Sequence, residues 1–256
     1  MARARHPVHV DPDIPDGTCP LTVAHPVMVH RWQLLTFLHW SFEPAVVQPL
    51  LPPGLTVETF DGRAWVGLVP FRMWVAPPHL SALPWLGRFC ETNVRTYVRD
   101  RHGRSGVWFF SLEASRLPAV IAARVAYRLP YYWASMRLRV APERVAYTTR
   151  RRWPRSTSAE ASSTVVVRPG SPIPPEELTH LEHFLTARWR LFSSAKGDTL
   201  RYADAEHPPW QLQRADVEIC DDTLVTAAGL PAPIGQPLVH YSRGVEVRIG
   251  RPARVT

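Results

Sequence analysis

Along most of this chain hydrophobic and polar residues alternate with the two-residue period of half-buried strands, and clusters of Pro, Gly and Asp punctuate the runs. Arg31 to Trp40 is apolar enough for a buried strand, and Glu43 followed by Pro44 opens a short helix through Leu50, stopped by Pro52-Pro53-Gly54. Leu55–Phe60 and Ala64–Phe71 flank Asp61-Gly62-Arg63 and predict a tight hairpin. After a proline-rich excursion at 76–87, Glu91–Arg99 and Val107–Glu113 predict a second hairpin. A helix is expected from about Pro118 to Arg128, with Ser115 or a neighbour as cap and Pro130 as stop. Ala134–Val140, Val145–Arg152 and Thr157–Arg168 predict an antiparallel meander. Leu178, Leu181, Phe184 and Leu185 lie at helical spacing, so the clearest helix is expected from Pro174 toward Arg188, before short strands near 199–206, 211–219 and 238–249.

Residues 1–26 are polar and proline-punctuated and predict an extended or poorly ordered arm. Residues 27–256 predict one domain. Its expected class is mostly β (α+β), an antiparallel β barrel- or sandwich-like core with a few covering helices.

The formal charge of +8 would ordinarily suggest a polyanionic partner. Here the basic residues are almost all arginine, Lys196 being the one lysine, and they are scattered from Arg3 to Arg254 with only Arg150, Arg151 and Arg152 adjacent. No basic stripe results, and electrostatic binding of nucleic acid is the least favoured reading. Cys19, Cys90 and Cys220 are far apart, with no C-x-x-C spacing and no histidine pair at zinc-ligand spacing, so no metal is expected and a reducing compartment is. The basic N-terminus lacks a following apolar h-region and no run of 18 apolar residues occurs, which predicts a cytoplasmic protein with no membrane partner. Neither a Gly-rich phosphate loop nor a nucleophile elbow is present, and no cofactor is predicted.

Several blocks carry a resemblance. HRWQLLTFLHWSFEPAVVQPLLPPGLTVETFDGRAWVGLVPFRM, ETNVRTYVRDRHGRSGVWFFSLEAS, RLPYYWASM, HPPWQLQ and YSRGVEV, in that order, resemble the uncharacterised YqjF-like family over about residues 28–250. That family more distantly resembles acetoacetate decarboxylase, and the resemblance implies an acetoacetate decarboxylase-like fold. In the decarboxylase a strand carries a functional glutamate, and a Gly-Phe-Pro-Lys-Lys motif supplies the Schiff-base lysine. The alignment of blocks places Glu91 at the glutamate and Pro130-Tyr131-Tyr132 where Pro-Lys-Lys would fall. A phenol cannot form an iminium, and Lys196 sits in the turn-like Ser193–Asp198. Schiff-base decarboxylation is therefore not expected; if the chain is an enzyme, lyase- or isomerase-type acid–base chemistry is.

Alternation places Glu91, Asn93, Arg95 and Tyr97 on one strand face and Thr92, Val94, Thr96 and Val98 on the other. The polar face either lines a cavity or forms a salt-bridged, solvated surface, and the pattern leaves both open. On the first reading Glu91 is the acid or base, and Asn93, Arg95, Arg72, Tyr131 and His39 are candidate ligand-binding residues. Tyr132 is a second phenol near the lysine position, Arg124 reads as a helix-surface charge, and His207-Pro208-Pro209-Trp210 reads as a rigid loop that sets a Trp against the core. The expected partner is a small molecule, an oxo acid or an apolar carboxylate. A non-catalytic metabolite-binding or protein-interaction module is the alternative, and a homo-oligomer is compatible with either.

Overall fold

The two-residue alternation becomes hydrogen-bonded strand almost wherever it occurs. The computed structural model describes residues 17–78, 87–154, 160–194 and 199–256. Its strands are β1 Met28–Phe42, β2 Leu55–Val57, β3 Thr59–Phe60, β4 Arg63–Ala76, β5 Arg88–Asp100, β6 Ser105–Ala114, β7 Tyr131–Ala141, β8 Arg144–Trp153, β9 Ser162–Pro172, β10 Arg190–Ser193, β11 Arg201–Glu206, β12 Leu212–Asp222, β13 Leu238–Ile249 and β14 Ala253–Arg254. Four short helices accompany them: α1 Pro44–Val47, α2 Leu117–Ala126, α3 His180–Thr186 and α4 Leu224–Ala227.

All the strands join one sheet, and its pairings close on themselves. A wall of five strands, β13-β1-β4-β5-β6, is antiparallel throughout. At each end of this wall the outer edge is shared between two partners. β6 pairs with β10 through Val107 and Trp108 and with β7 through Leu112–Ala114. β13 pairs with β12 through His240–Ser242 and with β11 through Arg248 and Ile249. One circuit therefore closes through β7-β8-β9-β12 and the other through β10-β11, giving two barrel-like halves that share the wall.

Because the wall divides two interiors, both of its faces are apolar. Leu68 of β4 and Val94 of β5 pack with Val145, Tyr147, Val165 and Val167 in the larger half. Val69, Phe71, Met73, Phe89 and Leu112 face the smaller half with Leu129 and Trp210. In β1 the alternation changes phase at a bulge: Leu34 has φ 55°, and five residue steps from Gln33 to Leu38 oppose four on β4 from Arg72 to Leu68. Trp32 and Leu35 thereby face the same half. Gly244, opposite Gln33, has φ 130°, and a Cβ there would lie 2.0 Å from the Trp32 carbonyl oxygen, so the crossing requires glycine.

The expected hairpins and the meander form. Asp61 and Gly62 both take positive φ in the two-residue turn between β3 and β4. Three expectations are corrected. The run Leu55–Phe60 splits, because β2 pairs with β5 while only β3 pairs with β4. The long helix begins at His180, where Thr179 and Glu182 form a capping box; Pro175–Glu177 is a separate 3-10 turn. The chain then enters β10, too short and too close to a helix for its period to be read. Of the expected arm, residues 1–16 lie outside the described residues, as do 79–86 of the excursion, 157–159 of the expected strand Thr157–Arg168 and Lys196; residues 17–26 carry no strand or helix, and Val23 packs inward and donates its N–H to Glu206 at 2.6 Å. No helix among the described residues is long and apolar enough to cross a membrane.

Candidate functional site

The smaller half encloses a pocket of about 760 Å³. Its lining is mostly apolar, from Met73 and Val75 of β4, Phe89 of β5, Val107 and Phe109 of β6 and Leu191 of β10, with Ala119, Ala122, Ala123 and Ala126 of α2 along one side. The short alanine side chains let α2 lie close to this space. Among these walls a few polar groups converge: Glu91, Arg95, Tyr131, His30 and His207.

Glu91 is 2% exposed and sits on the pocket face of β5. Tyr131, the first residue of β7, donates its phenol hydrogen to Glu91 Oε2 at 2.8 Å. Asn93, two residues along the same face, hydrogen-bonds the carboxyl group as well. Burial outweighs these two bonds, and the neighbouring Glu113 adds to it, so the Glu91 pKa is pushed up to about 8. At neutral pH the group is mainly a protonated acid, itself a hydrogen-bond donor. Tyr131 is held far above the ordinary phenol value, by burial first and then by Glu91, and stays neutral.

Arg95 faces the same pocket but makes no ion pair with Glu91. Its Nε has no partner among the described residues, and one terminal nitrogen reaches the Leu185 carbonyl at 3.4 Å. The guanidinium rests against the rings of Phe37 and Tyr97, with its carbon 5.5 and 5.8 Å from their centroids. His30, on β1, is a further donor that the sequence reading did not single out. Its Nδ1 accepts from Trp32 Nε1 at 3.3 Å, which leaves the proton on Nε2, and that atom has no partner among the described residues. Burial lowers the His30 pKa to about 4 and keeps the ring neutral. The pocket thus presents two donors without partners among the described residues, Arg95 Nε and His30 Nε2, beside the Glu91 carboxyl group in an apolar surround.

The structure places the remaining candidates elsewhere. His39 is buried behind the pocket wall and does not line it: its Nε2 is 2.6 Å from the Tyr97 hydroxyl, which donates to the Leu185 carbonyl at 2.7 Å. Since the one phenol hydrogen is committed to Leu185, His39 donates from Nε2, and burial keeps it neutral. Asn93 is likewise buried beneath the lining, as a support for Glu91. Arg72 is exposed and leaves β4 on the face opposite the pocket, since Phe71 and Met73 occupy the pocket face. Tyr132 also points away, its ring stacked under Arg151 at 3.7 Å. Arg124 is exposed, as expected, yet donates to the Tyr131 carbonyl at 2.6 Å and so ties α2 to the start of β7. His207 lines the pocket with Nδ1 2.8 Å from the Pro208 carbonyl, and Trp210 stacks on Trp32, so the His-Pro-Pro-Trp loop does set an indole into this core.

A second buried carboxylate, Glu113, faces the larger half, where Arg151 and Ser111 bind it. Nothing in composition separates it from a surface residue; only its place two residues after Ser111 on an otherwise apolar strand could have shown it.

The chain matches the model of the DUF2071 family, described as an uncharacterized conserved protein, over residues 29–246. It is 32% identical to the uncharacterized protein YqjF of Bacillus subtilis (strain 168), across 91% of this chain and 92% of that one. Among solved structures it is similar to an acetoacetate decarboxylase-like enzyme from Sphingomonas wittichii RW1, with a TM-score of 0.61 and 14% identity over 93% of this chain and 96% of that one. It is also similar to the acetoacetate decarboxylase from Legionella pneumophila, with a TM-score of 0.58 and 13% identity over 99% and 98% of the two chains. The enduracididine biosynthesis enzyme MppR, in complex with pyruvate, has a TM-score of 0.59 and 14% identity over 93% and 92%. At such identities the likeness is one of fold. The chain belongs to the DUF2071 family, on a β-rich fold of the acetoacetate decarboxylase type.

Proposed function

We propose that the pocket holds a small, largely apolar molecule bearing a carboxylate, of the oxo acid class, and that Glu91 exchanges a proton with it. The observation that carries this reading is the unpartnered Arg95 Nε in the same apolar pocket as a protonated Glu91. A guanidinium without a carboxylate of its own is a receptor for one, and the apolar lining accepts the remainder of the ligand. An acid with a pKa near 8 is poised to give and take a proton close to neutral pH. Tyr131 stands where the resemblance puts the Schiff-base lysine, and its role here is to orient the Glu91 carboxyl group. The chemistry that fits is non-covalent, such as enolisation or isomerisation beside a carbonyl.

The test is exchange of solvent deuterium into oxo acids at the carbon next to the carbonyl, followed by NMR, together with thermal shifts of the protein. Arg95→Ala should lose the thermal shift; Glu91→Gln should keep it and lose exchange. A ligand that shifts the wild type and shows no exchange assigns the pocket to binding without catalysis. Absence of any shift with oxo acids or apolar carboxylates refutes the pocket assignment.

A further inference from the structure

On the face of β4 and β5 opposite the pocket lies a cleft of about 630 Å³. Arg72, Arg88, Arg116 and Arg152 line it, with Cys90 and Trp133, and no Asp or Glu is among its described lining residues. Strand pairing brings these groups together. Arg72 stands directly across from Cys90, Trp133 pairs with Trp153, the residue after Arg152, and Arg116 is the N-cap of the ten-residue helix α2.

The clustering in one concavity is what distinguishes these arginines. Many arginines elsewhere are matched: Arg31 with Glu246, Arg63 with Glu43, Arg99 and Arg188 with Glu58, Arg104 with Asp100, Arg144 and Arg168 with Glu218, and Arg190 with Asp204. Even the run Arg150-Arg151-Arg152 divides, since Arg150 pairs with Glu160, Arg151 turns inward to Glu113, and only Arg152 enters the cleft. Arg72, Arg88 and Arg152 pair with no carboxylate among the described residues. Arg72, Arg88 and Arg152, gathered in one concavity, repel one another, and that cost is relieved by an anion.

We infer that this cleft binds the phosphoryl group of a small phosphorylated metabolite, of the nucleoside diphosphate class, with Trp133 against its planar body. A carboxylate is satisfied by one guanidinium fork, whereas a phosphoryl group offers three oxygens and up to two charges for several forks at once. Trp133 is 37% exposed at the cleft and offers a face for a flat ring. The concave, single cluster suits a compact ligand; a nucleic acid backbone needs an extended stripe of cations.

Pyrophosphate and ADP are titrated against the wild type, Arg72→Gln/Arg152→Gln, Arg72→Lys/Arg152→Lys, Trp133→Ala and Arg214→Gln, with thermal unfolding and calorimetry at fixed ionic strength. Arg72 and Arg152 are exposed, so their replacement leaves the core intact, and Arg214, paired with Glu177, is the control. The expected result is saturable pyrophosphate binding in the wild type and in Arg214→Gln, at least tenfold weaker in the double Gln variant and intermediate in the double Lys variant. ADP should bind more tightly than pyrophosphate, with the difference abolished by Trp133→Ala. Pyrophosphate acting no more strongly than chloride, or equally on the double Gln variant, overturns the proposal. So does binding of duplex DNA or anionic vesicles in its place; equal affinities for ADP and pyrophosphate overturn the role of Trp133.

Discussion

Tyr131 and Glu91, forty positions apart in the chain, meet at 2.8 Å inside an apolar pocket, with the phenol as donor and the carboxyl group as acceptor. The pair joins the first residue of β7 to the fourth residue of β5. Its protonation state sets the charge at this wall of the pocket.

The Glu91 pKa of about 8 in the folded protein, against 4.5 as the ordinary value, fixes the sign of a pH effect on stability. Below 4.5 the group is protonated folded and unfolded, and contributes nothing to the pH dependence. Between 4.5 and 8 the folded state holds a proton that the unfolded state has released, so stability falls as pH rises. Glu91→Gln copies the protonated form and removes this dependence. At pH 9 the variant should be more stable than the wild type by on the order of 3–5 kcal/mol, and the two should converge near pH 4. Urea denaturation across this range is the check; parallel profiles would show that Glu91 is not held protonated.

Tyr131→Phe removes the donor that favours the Glu91 carboxylate. Its Glu91 should titrate higher than in the wild type, because the phenol bond lowers this pKa. Side-chain carboxyl NMR of Glu91 reads the midpoint directly. A downward move would mean that the phenol bonds the protonated form better than the ionised one.

Arg95→Met separates stability from binding. The guanidinium has no carboxylate partner among the described residues and lies against Phe37 and Tyr97, so an apolar chain of similar length should change unfolding free energy by less than about 1.5 kcal/mol. Carboxylate binding should nevertheless fall at least tenfold. Denaturation and ligand titration on the same preparation test both halves.

Glu113 and Arg151 behave in the opposite way. Their ion pair is sealed in the larger half, with side-chain exposures of 0% and 5%. Arg151→Met strands the carboxylate and should destabilise by about 3–5 kcal/mol, while adding Glu113→Gln should restore part of the loss. If the single and double variants unfold alike, the pair is not the source of the cost.

Much of this was legible in the sequence because a strand shared between two interiors obeys the simplest rule, alternation. Glu91 and Arg95 were placed on one face by period alone, and Tyr131 was brought near them by its resemblance to the lysine position. Alternation could not say which face meets a hollow, and here both do. It therefore could not separate Arg72, which leaves β4 for the opposite side, from its pocket-facing neighbours Phe71 and Met73. His39 is a ligand-binding candidate by residue type alone, and a lone histidine in an apolar run is more often a hydrogen-bonded core group, as it is here; the bulge at Leu34, which sets the phase of β1, has no signature in hydrophobic pattern. His30 lies just outside the apolar run Arg31 to Trp40 that the pattern marks as strand. The partners of Arg95 and Glu113 depend on contacts across tens of residues, which period does not encode.

The five-strand wall also constrains how this protein can change over time. Adjacent residues of β5 look into different chambers: Glu91 into the pocket, Cys90 into the arginine cleft. Losing or gaining one residue in the middle of that strand would invert every position beyond it, delivering the furnishings of one chamber to the other. Substitutions can retune each chamber separately, but indels in the partition disturb both at once. Lineages carrying this wall are thus expected to keep the length of β5 while its side chains drift, and to accommodate insertions in the turns beyond its ends.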